Sequence, residues 1–266
     1  MTFKNKVVWV TGASSGIGRE LCVELEKAGA LLILSGRNLP ALQELMLTFS
    51  DSRKHNILVF DLAESGGFDA VASKAWEFNQ KVDVLVNNGG ISQRSLALET
   101  SQEVDRQIME VDYFGTIALT KALLPRMVER KQGRVINIAS IAGKVGSPLR
   151  SAYSGAKHAL IGFMDCLRAE VADQGIEVIN VCPGFVNTNI SKNALTGDMS
   201  TYQQVDVEIA NGMPVGRFVD KLLQQLKKNK SEIILAEGKV RLGYQLRRML
   251  PNLFHRILPR IYRRTL

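Results

Sequence analysis

The stretch VVWVTGASSGIGREL, residues 7–21, decides the fold. It begins with an apolar run typical of a buried β-strand, passes through three closely spaced glycines and ends in a helical pattern. Glycines at such a turn let the backbone approach a ligand closely, and the free N–H groups of the following helix favour a pyrophosphate. The stretch therefore predicts a strand, a phosphate-binding loop and a helix in succession.

Short apolar runs alternate with helical patterns along the rest of the chain. Strands are expected at KVVWV, LLILS, ILVFD, VDVLVN, RVINIAS, EVINVC and EIILA. Helices are expected near residues 17–28, 39–49, 67–79, 101–129, 152–173 and 215–229. Near-continuously apolar strands separated by helices indicate a parallel sheet that is buried on both faces. We predict an α/β fold, a Rossmann-type doubly wound sheet of about seven parallel strands with helices on both faces.

Length and composition favour one compact domain. The chain has 266 residues, 45% of them hydrophobic, and no linker, repeat or low-complexity tract divides it. The first strand begins too early to leave room for a signal peptide, and no apolar run reaches the roughly eighteen residues of a membrane span. Three widely spaced cysteines without a nearby histidine argue against a disulfide framework or a metal site. We expect a cytoplasmic protein without a metal.

The segment AYSGAKHAL, residues 152–160, places a phenol and an ammonium on one helical face. Tyr153 and Lys157 are about one turn apart, so their side chains lie close together. A cationic Lys157 would stabilise the tyrosinate, the form that accepts a proton from an alcohol. Taken alone, the pair also fits a partly buried tyrosine beside the aliphatic stem of a lysine. Ser140, at the end of a predicted strand, suits the cap of a turn.

Further motifs follow the ends of the predicted strands: TGASSGIG at 11–18, NNGG at 87–90 and PGFVNT at 183–188. Ser140 precedes Tyr153 by thirteen residues. The ordered set resembles the short-chain dehydrogenase/reductase family, with Gly89 where that family usually has alanine. The segment ISQRS, residues 91–95, is similar to the branch called dehydrogenase/reductase member 7.

The resemblance implies an oxidoreductase that interconverts a secondary alcohol with a ketone or aldehyde. Ser140, Tyr153 and Lys157 would carry the acid/base chemistry, and an oxidised nicotinamide would add a second positive charge beside the phenol. It also implies a homo-oligomer, a dimer or a tetramer. The residues implied to contact the dinucleotide are Gly12, Ser14, Ser15, Gly16, Ile17, Gly18, Arg37, Asn38, Asp61, Leu62, Asn87, Gly89, Tyr153, Lys157, Pro183, Gly184, Val186 and Thr188.

Asp112 stands where the family usually has asparagine. By resemblance, that residue contributes its backbone carbonyl and a bound water to a proton relay beneath the lysine. A backbone role survives the substitution, whereas a carboxylate near Lys157 would raise the pKa of Lys157 and could alter the relay. A replacement that is tolerated at a helix bend is the simpler interpretation, and Asp112 is kept as a candidate catalytic residue.

The end of the second predicted strand indicates the cofactor. LLILSGRN, residues 31–38, has no carboxylate to bond a ribose 2′-hydroxyl. Arg37 can instead pair with a 2′-phosphate, and no residue adjacent in sequence repels that charge. We therefore favour NADP(H) over NAD(H). Asp61 and Leu62 resemble the family's adenine-contacting pair, although Asp61 also suits a turn.

The substrate is less determined by the sequence. Residues 189–213 correspond by resemblance to the family's variable substrate lid, and they contain no arginine cluster that would demand a carboxylate or a phosphate. A hydrophobic ketone, aldehyde or secondary alcohol is expected. The alternative function is a non-catalytic dinucleotide-binding sensor or scaffold with a membrane-associating tail, which only Asp112 and the C-terminus suggest.

Residues 239–266 carry the whole net charge of the chain. They contain eight basic residues and no acid, whereas the preceding 238 residues have 26 basic and 26 acidic groups. Apolar residues recur there at helical spacing: Leu246, Met249, Leu250, Leu253, Phe254, Ile257, Leu258 and Ile261. The pattern predicts an amphipathic tail on an anionic membrane surface, beyond a catalytic domain of residues 1–238.

Some features of this tail argue against a membrane helix. Pro251 and Pro259 would divide the helix, and Arg260 and Arg264 fall on or near its apolar face. The other interpretations are a helix that packs on the body or on a neighbouring subunit, and a basic tail that touches nucleic acid nonspecifically. No specific nucleic-acid site is expected. The predicted location is therefore cytoplasmic, with peripheral membrane association as the further hypothesis.

Overall fold

The structure is a computed structural model that describes residues 2–64, 66–228 and 230–263. Within these residues the strands are β1 (Val7–Thr11), β2 (Leu31–Gly36), β3 (Asn56–Val59), β4 (Val84–Asn87), β5 (Gly133–Ile138), β6 (Ile176–Pro183) and β7 (Glu232–Leu235). The helices are α1 (Gly16–Lys27), α2 (Leu39–Leu47), α3 (Phe68–Glu77), α4 (Gln102–Met109), α5 (Thr116–Glu129), α6 (Ser151–Glu170), α7 (Val207–Ala210), α8 (Val215–Leu226), α9 (Gly238–Met249) and α10 (Pro251–Tyr262). Every strand expected from the sequence is present near its predicted position.

The strands form a parallel sheet in the order β3-β2-β1-β4-β5-β6-β7. In β1, Val8 lies opposite Leu32 of β2 on one side and opposite Val84 of β4 on the other. This arrangement confirms the predicted doubly wound α/β fold. The strand order reverses between β1 and β4, and the ligand crevice of such a sheet lies there, at the carboxyl ends of the strands.

Alternate side chains of the strands pack into two cores on opposite faces of the sheet. Val10 belongs to one core together with Leu25 of α1, and Trp9 belongs to the other together with Leu123 of α5. These four side chains are at most 1% exposed. Burying an aliphatic or aromatic side chain contributes about 1.5–3 kcal/mol, so both faces stabilise the sheet that positions the cleft.

The helix that was expected over residues 101–129 is interrupted in the middle. α4 runs into a π-helical turn at Glu110–Gly115, and α5 continues from there. At Gly115 the turn passes so near another loop that a Cβ would lie 2.0 Å from the carbonyl oxygen of Leu62. The turn also carries Asp112, whose side chain is completely buried. The sequence did not reveal this turn, because the extra residue shifts the helical phase by about 100° without requiring any particular residue type.

The C-terminal residues form the helix pair α9 and α10. Pro251 begins α10, where its missing N–H removes no internal hydrogen bond, so it divides the segment as predicted. The prediction for Pro259 was wrong, because α10 continues through it and the N–H of Arg263 bonds its carbonyl at 3.1 Å. Arg264 and the side chain of Ile261, which entered the prediction of an apolar face, lie outside the described residues.

The tail helices leave much of their apolar surface exposed. Phe254 is buried, whereas Met249, Leu250 and Leu253 are 75%, 53% and 43% exposed. In the part of the chain that the structure describes, no helix is both long and apolar enough to cross a membrane. The boundary drawn after residue 238 falls at the start of α9.

Candidate active site

A cleft of about 1900 Å³ opens at the carboxyl ends of the strands. It lies at the point where the strand order reverses, as the fold predicts. Most of the predicted site residues line it: Gly12, Ser14, Ser15, Gly16, Ile17, Arg37, Asn38, Asp61, Leu62, Gly89, Ser140, Tyr153, Lys157, Pro183, Gly184, Val186 and Thr188. Residues that are far apart in the sequence thus share one cavity.

The glycine-rich loop turns tightly against the end of β4. Gly12 has φ +63°, in the left-handed region, and a Cβ there would lie 2.8 Å from the Cα of Gly89. Thr11 Oγ1 accepts hydrogen bonds from the N–H groups of Asn88 and Gly89 at 3.0 and 2.9 Å. The side chain of Asn88 donates to the carbonyl of Thr11 at 3.0 Å. These contacts fix the loop where the first N–H groups of α1 meet the cleft.

Two residues predicted to bind the cofactor do not line the cleft. A Cβ on Gly18 would lie 2.3 Å from the carbonyl oxygen of Gly12, so this glycine lets α1 pack on the loop. Asn87 turns into the body of the protein, and its Nδ2 donates to Thr120 Oγ1 at 2.9 Å. Successive side chains of a strand point to opposite faces, and Asn88 therefore lines the cleft in place of Asn87. The structure gives these two residues packing roles, and their contact with a cofactor stays a prediction.

Arg37 and Asp61 follow the ends of β2 and β3 and meet at the wall of the cleft. Arg37 Nη1 lies 3.4 Å from Asp61 Oδ2, which places a carboxylate beside the arginine that sequence neighbours did not show. The other oxygen of Asp61 accepts from the N–H of Ala63 at 2.9 Å, so this residue also forms the expected turn. Asn38 Oδ1 accepts from the N–H of Ala41 at 3.1 Å and caps α2. The guanidinium remains accessible, since the side chain of Arg37 is 62% exposed.

Ser140 and Tyr153 line the central part of the cleft. Ser140 Oγ accepts from the N–H of Ala142 at 3.1 Å and so caps the turn that follows β5. Its hydroxyl hydrogen stays available for a substrate oxygen, because a hydroxyl donates as well as accepts. Tyr153 lies in the first turn of α6, and Lys157 Nζ is 5.5 Å from the centre of its ring. The pair therefore shares a helical face, as its spacing predicted.

Asp112 does not line the cleft but lies directly beneath Lys157. Its Oδ2 is 3.1 Å from Lys157 Nζ, and its Oδ1 accepts from the N–H of Ile91 at 2.7 Å. The two ionised side chains are 0% and 5% exposed. A Cβ on Gly90 would lie 3.1 Å from the carboxylate and 3.2 Å from the ammonium, so glycine leaves room for the pair. The carboxylate itself contacts the lysine.

Burial and pairing oppose each other at this ion pair. Burial by itself disfavours the ammonium of Lys157, but Asp112 and Tyr153 outweigh it and raise the pKa of Lys157 above its ordinary value. For Asp112, burial is the largest influence and raises the pKa of its carboxyl, against the opposing effects of Lys157 and the N–H of Ile91. Lys157 is therefore held as a cation beside the phenol, as a carboxylate at position 112 led us to expect.

The segment that corresponds to the predicted lid, residues 189–213, is tied to the body by a buried ionic cluster at Asp206. Asp206 is 5% exposed; Arg94 Nε lies 3.0 Å from one of its oxygens, and Arg150 binds the other. The lid sequence itself contains no arginine, so this cluster was not visible in its composition. Arg150 lines the cleft, but its charge already has a carboxylate partner.

The tail helices complete the cleft. Their apolar residues that line it are Val240, Leu242, Leu246, Phe254, Ile257 and Leu258. A Cβ on Gly184 would lie 3.5 Å from Val240 Cγ1, so α9 packs on the segment that follows β6. The sequence indicated an apolar tail face but not the surface that this face covers. Part of the face therefore belongs to the cleft.

Several lining residues were missed at first. Thr11 and Asn88 lie within the quoted motifs, and their polar side chains at strand ends were a usable signal. Ser92, within the quoted segment ISQRS, and Arg150, which lies in none of the quoted motifs, also line the cleft. Among the described residues, no three His, Cys, Asp or Glu side chains converge in a way that could hold a metal ion.

Fold and cleft together define a dinucleotide-binding α/β oxidoreductase. Residues 6–198 match the short chain dehydrogenase family. A bovine protein, dehydrogenase/reductase SDR family member 7B, is 44% identical over 262 residues, which cover 96% of this chain and 81% of the relative. The chain belongs to the short-chain dehydrogenase family.

Solved structures share the whole fold. A short-chain dehydrogenase from Burkholderia cenocepacia, in complex with NADP, is 25% identical with a TM-score of 0.80 and covers 97% of this chain and 99% of its own. A short-chain dehydrogenase/reductase from Burkholderia phymatum, in complex with NAD, has a TM-score of 0.82 and covers 95% and 96%. At 21% identity, the second likeness concerns the fold alone.

Proposed function

We propose that this protein is an NADP(H)-dependent oxidoreductase that interconverts a hydrophobic secondary alcohol with its ketone, or an alcohol with its aldehyde. The observation that carries the proposal is the meeting of Ser140, Tyr153 and Lys157 with the glycine-rich loop in one cleft. An active site of this class needs an acid/base group next to the dinucleotide that carries the hydride. The cleft holds Tyr153 and the glycine-rich loop together.

The residues of the cleft fit a dinucleotide. The turn at Gly12 leaves no space for a side chain, and the N-terminus of α1 suits the negative charge of a pyrophosphate. A Cβ on Gly16 would lie 3.3 Å from Thr188 Cγ2, so the loop and the segment after β6 form adjoining walls. When bound, the cofactor supplies or accepts the hydride. We assign Asp61 and Leu62 to the adenine end.

Side chains of α6 and of the end of β5 carry out the proton transfer. In the reductive direction, Tyr153 donates its phenolic proton to the forming alkoxide, and Ser140 holds the same oxygen by a hydrogen bond. The ammonium of Lys157 stabilises the tyrosinate that remains. Asp112 acts through Lys157 by keeping the lysine charged. In the oxidative direction the proton returns to Tyr153.

Arg37 supports the choice of the phosphorylated cofactor. Its exposed guanidinium can form a bidentate pair with a 2′-phosphate. Asp61 Oδ2 lies 3.4 Å from Arg37 Nη1 and competes with a 2′-phosphate for this guanidinium. The preference for NADP(H) is therefore smaller than it would be if Arg37 had no carboxylate partner. The solved neighbours hold NADP in one case and NAD in another, so the preference rests on Arg37.

The apolar wall supports a hydrophobic substrate. The tail helices line the cleft with aliphatic and aromatic side chains, including Leu246, Phe254 and Ile257. Arg94 and Arg150 share the single carboxylate of Asp206, so an anionic substrate would compete with those buried ion pairs. A ketone or aldehyde with a sizeable apolar group suits this lining.

The outer side of the tail supports peripheral attachment to an anionic membrane. Met249, Leu250 and Leu253 are exposed next to the basic residues of α9 and α10. We propose a cytoplasmic enzyme that binds such a surface through these residues and assembles as a homo-oligomer. The competing role for the basic residues of α9 and α10 is nonspecific contact with nucleic acid.

A turnover screen tests the proposed function. Purified protein is mixed with NADPH or NADH and with ketones and aldehydes of increasing apolar size, and the absorbance of the reduced nicotinamide is followed. We expect NADPH to be consumed faster than NADH, and faster with larger apolar carbonyl compounds. No turnover with either cofactor and any carbonyl class would favour the alternative of a non-catalytic sensor.

A further inference from the structure

Gln93 is a completely buried amide between the lid and the helix that carries Tyr153. It belongs to the segment ISQRS, and its own side chain is not among those that line the cleft. A buried amide must find hydrogen-bond partners, because leaving its groups unpaired costs about 1–3 kcal/mol. The partners of Gln93 connect two parts of the site.

The first connection is to the start of α6. The N-cap residue Arg150 makes no side-chain cap, since a guanidinium has no acceptor. Gln93 Oε1 provides the missing acceptor from another part of the chain and accepts from the N–H of Ala152 at 2.9 Å. Ala152 immediately precedes Tyr153, so this bond fixes the turn that presents the phenol.

The other end of the amide determines its orientation. Gln93 Nε2 donates to Thr100 Oγ1 at 2.7 Å and lies 3.2 Å from the hydroxyl oxygens of Ser95 and Ser151. These hydroxyls hold the nitrogen on one side and leave the oxygen facing Ala152. The amide is thereby fixed between the loop and the helix.

The second connection is to the lid, through the backbone of the same segment. The carbonyl of Leu195 accepts from the N–H of Arg94 at 2.7 Å, and the N–H of Leu195 donates to the carbonyl of Ser92 at 2.8 Å. The side chain of Leu195 lines the cleft and packs against the cluster that contains Tyr153. Lid and helix are therefore attached to one short segment, with Gln93 at its centre.

We infer that Gln93 is a positioning residue that couples the lid to the first turn of α6 and so sets the place of the Tyr153 phenol when the lid covers a substrate. The inference rests on the proposed function for its effect on turnover. Its structural part, the coupling of the lid to the helix, does not depend on any substrate.

Hydrogen exchange measured by mass spectrometry tests the coupling directly. Gln93→Met keeps the length of the side chain and removes both its acceptor and its donors. Gln93→Glu restores the acceptor for Ala152, because the surrounding hydroxyls can turn and donate to a carboxylate. Gln224→Met makes the same change on an exposed position of α8 and is the matched control.

In Gln93→Met we expect exchange about tenfold faster in peptides that cover residues 151–158 and 189–206, with peptides of α1 unchanged. Gln93→Glu should restore most of the protection, and Gln224→Met should match the original protein. The coupling is overturned if hydrogen exchange over residues 151–158 is unchanged. It is also overturned if the peptides of α1 exchange faster by the same factor.

Kinetics with NADPH and 2-decanone as the probe test the effect on turnover. We expect kcat to fall about tenfold in Gln93→Met with KM and cofactor affinity nearly unchanged, and to recover in Gln93→Glu. An unchanged kcat with altered exchange overturns the effect on the phenol. If the original protein turns over neither this ketone nor any other carbonyl compound, the proposed function fails, and hydrogen exchange alone decides the role of Gln93.

Discussion

Helix α6 and the tail helices α9 and α10 both carry cations next to apolar side chains, but they hold positive charge in opposite ways. In α6, Lys157 is buried and lies 3.1 Å from the carboxylate of Asp112. In the tail, across the residues the structure describes, the arginines of α9 and α10 have no acidic partner. One region pairs its charge inside the protein, and the other presents it to the outside.

The difference follows from the cost of removing a charge from water. A buried ion left without a partner costs several kcal/mol, so Lys157 requires a carboxylate or an equivalent acceptor nearby. An exposed guanidinium keeps its hydration and loses little by remaining unpaired. Paired charge can therefore tune a proton transfer, whereas unpaired charge is available to an external anion. The following experiments test that distinction from the largest expected effect to the smallest.

Tyr153→Phe should remove turnover and leave the binding of the cofactor nearly intact, because only the transferable proton is deleted. General acid/base catalysis contributes about 10²–10⁴-fold, and a loss of this size is expected in kcat. Cofactor affinity is measured by calorimetry on the same preparation. Tyr113→Phe, which removes a phenol from the π-helical turn, serves as the control. Turnover within a few-fold of the original would show that Tyr153 is not the acid/base.

The tail should require its unpaired charge to bind anionic vesicles. The variant with Arg247, Arg248, Arg256 and Arg260 all changed to Gln loses four cations that are each worth up to about 1 kcal/mol at such a surface. Vesicle affinity should fall by roughly 10²–10³-fold in co-sedimentation, while turnover in solution is retained. Substitution is a cleaner test than deletion of residues 240–266, because deletion also removes a wall of the cleft.

Two outcomes of the vesicle experiment separate the roles of the tail. Binding that needs anionic lipid and weakens with salt supports peripheral attachment. If the full-length protein stays in the supernatant with anionic vesicles at low salt, the tail packs on the protein or takes part in assembly instead.

Arg37→Ala should weaken the binding of NADP(H) by about 1–3 kcal/mol and change the affinity for NAD(H) little, since only the former carries a 2′-phosphate.

Asp61→Asn should strengthen the binding of NADP(H) a few-fold, because the carboxylate of Asp61 lies 3.4 Å from the guanidinium of Arg37 and competes with the 2′-phosphate for it. Calorimetry with both cofactors measures each effect. Equal affinities of the original protein for the two cofactors would contradict the preference.

Asp112→Asn should change the rate near neutral pH only a few-fold. The amide keeps an acceptor for Ile91 but removes the charge that raises the pKa of Lys157, so that pKa falls. Because the raised pKa of Lys157 lies above 10.5, the contribution of this lysine to stability is complete at neutral pH and is lost in strong alkali, whereas the raised pKa of Asp112 acts against stability at neutral pH. The alkaline limbs of activity and stability should therefore move to lower pH.

The pH profile of kcat/KM measures this shift against the original protein. Asp220→Asn, on an exposed position of α8, is the charge-matched control. Complete loss of activity at neutral pH would instead show that the carboxylate of Asp112 is itself required for the chemistry.

Much of the site was predictable because it depends on backbone geometry near each motif. The apolar run before Gly12 and the helical pattern after Gly18 placed the loop between β1 and α1, where the structure has it. The spacing of Tyr153 and Lys157 placed both on one face of α6. The motif NNGG does not state which asparagine side chain faces the cleft; the register of β4 turns Asn87 inward and leaves Asn88 to line the cavity.

The sequence by itself determined the strands, the glycine loop, the shared helical face of Tyr153 and Lys157 and the charge of the tail, since each is a pattern among residues that are close along the chain. Only the tertiary structure decided that Arg37 meets Asp61, that the carboxylate of Asp112 itself contacts Lys157 and that Gln93 caps α6. These contacts join side chains from different strands and helices, and the crossovers of the sheet bring them together. The same reason explains the tail: helical periodicity defines an apolar face, but the packing of α9 and α10 on the body decides that part of this face lines the cleft.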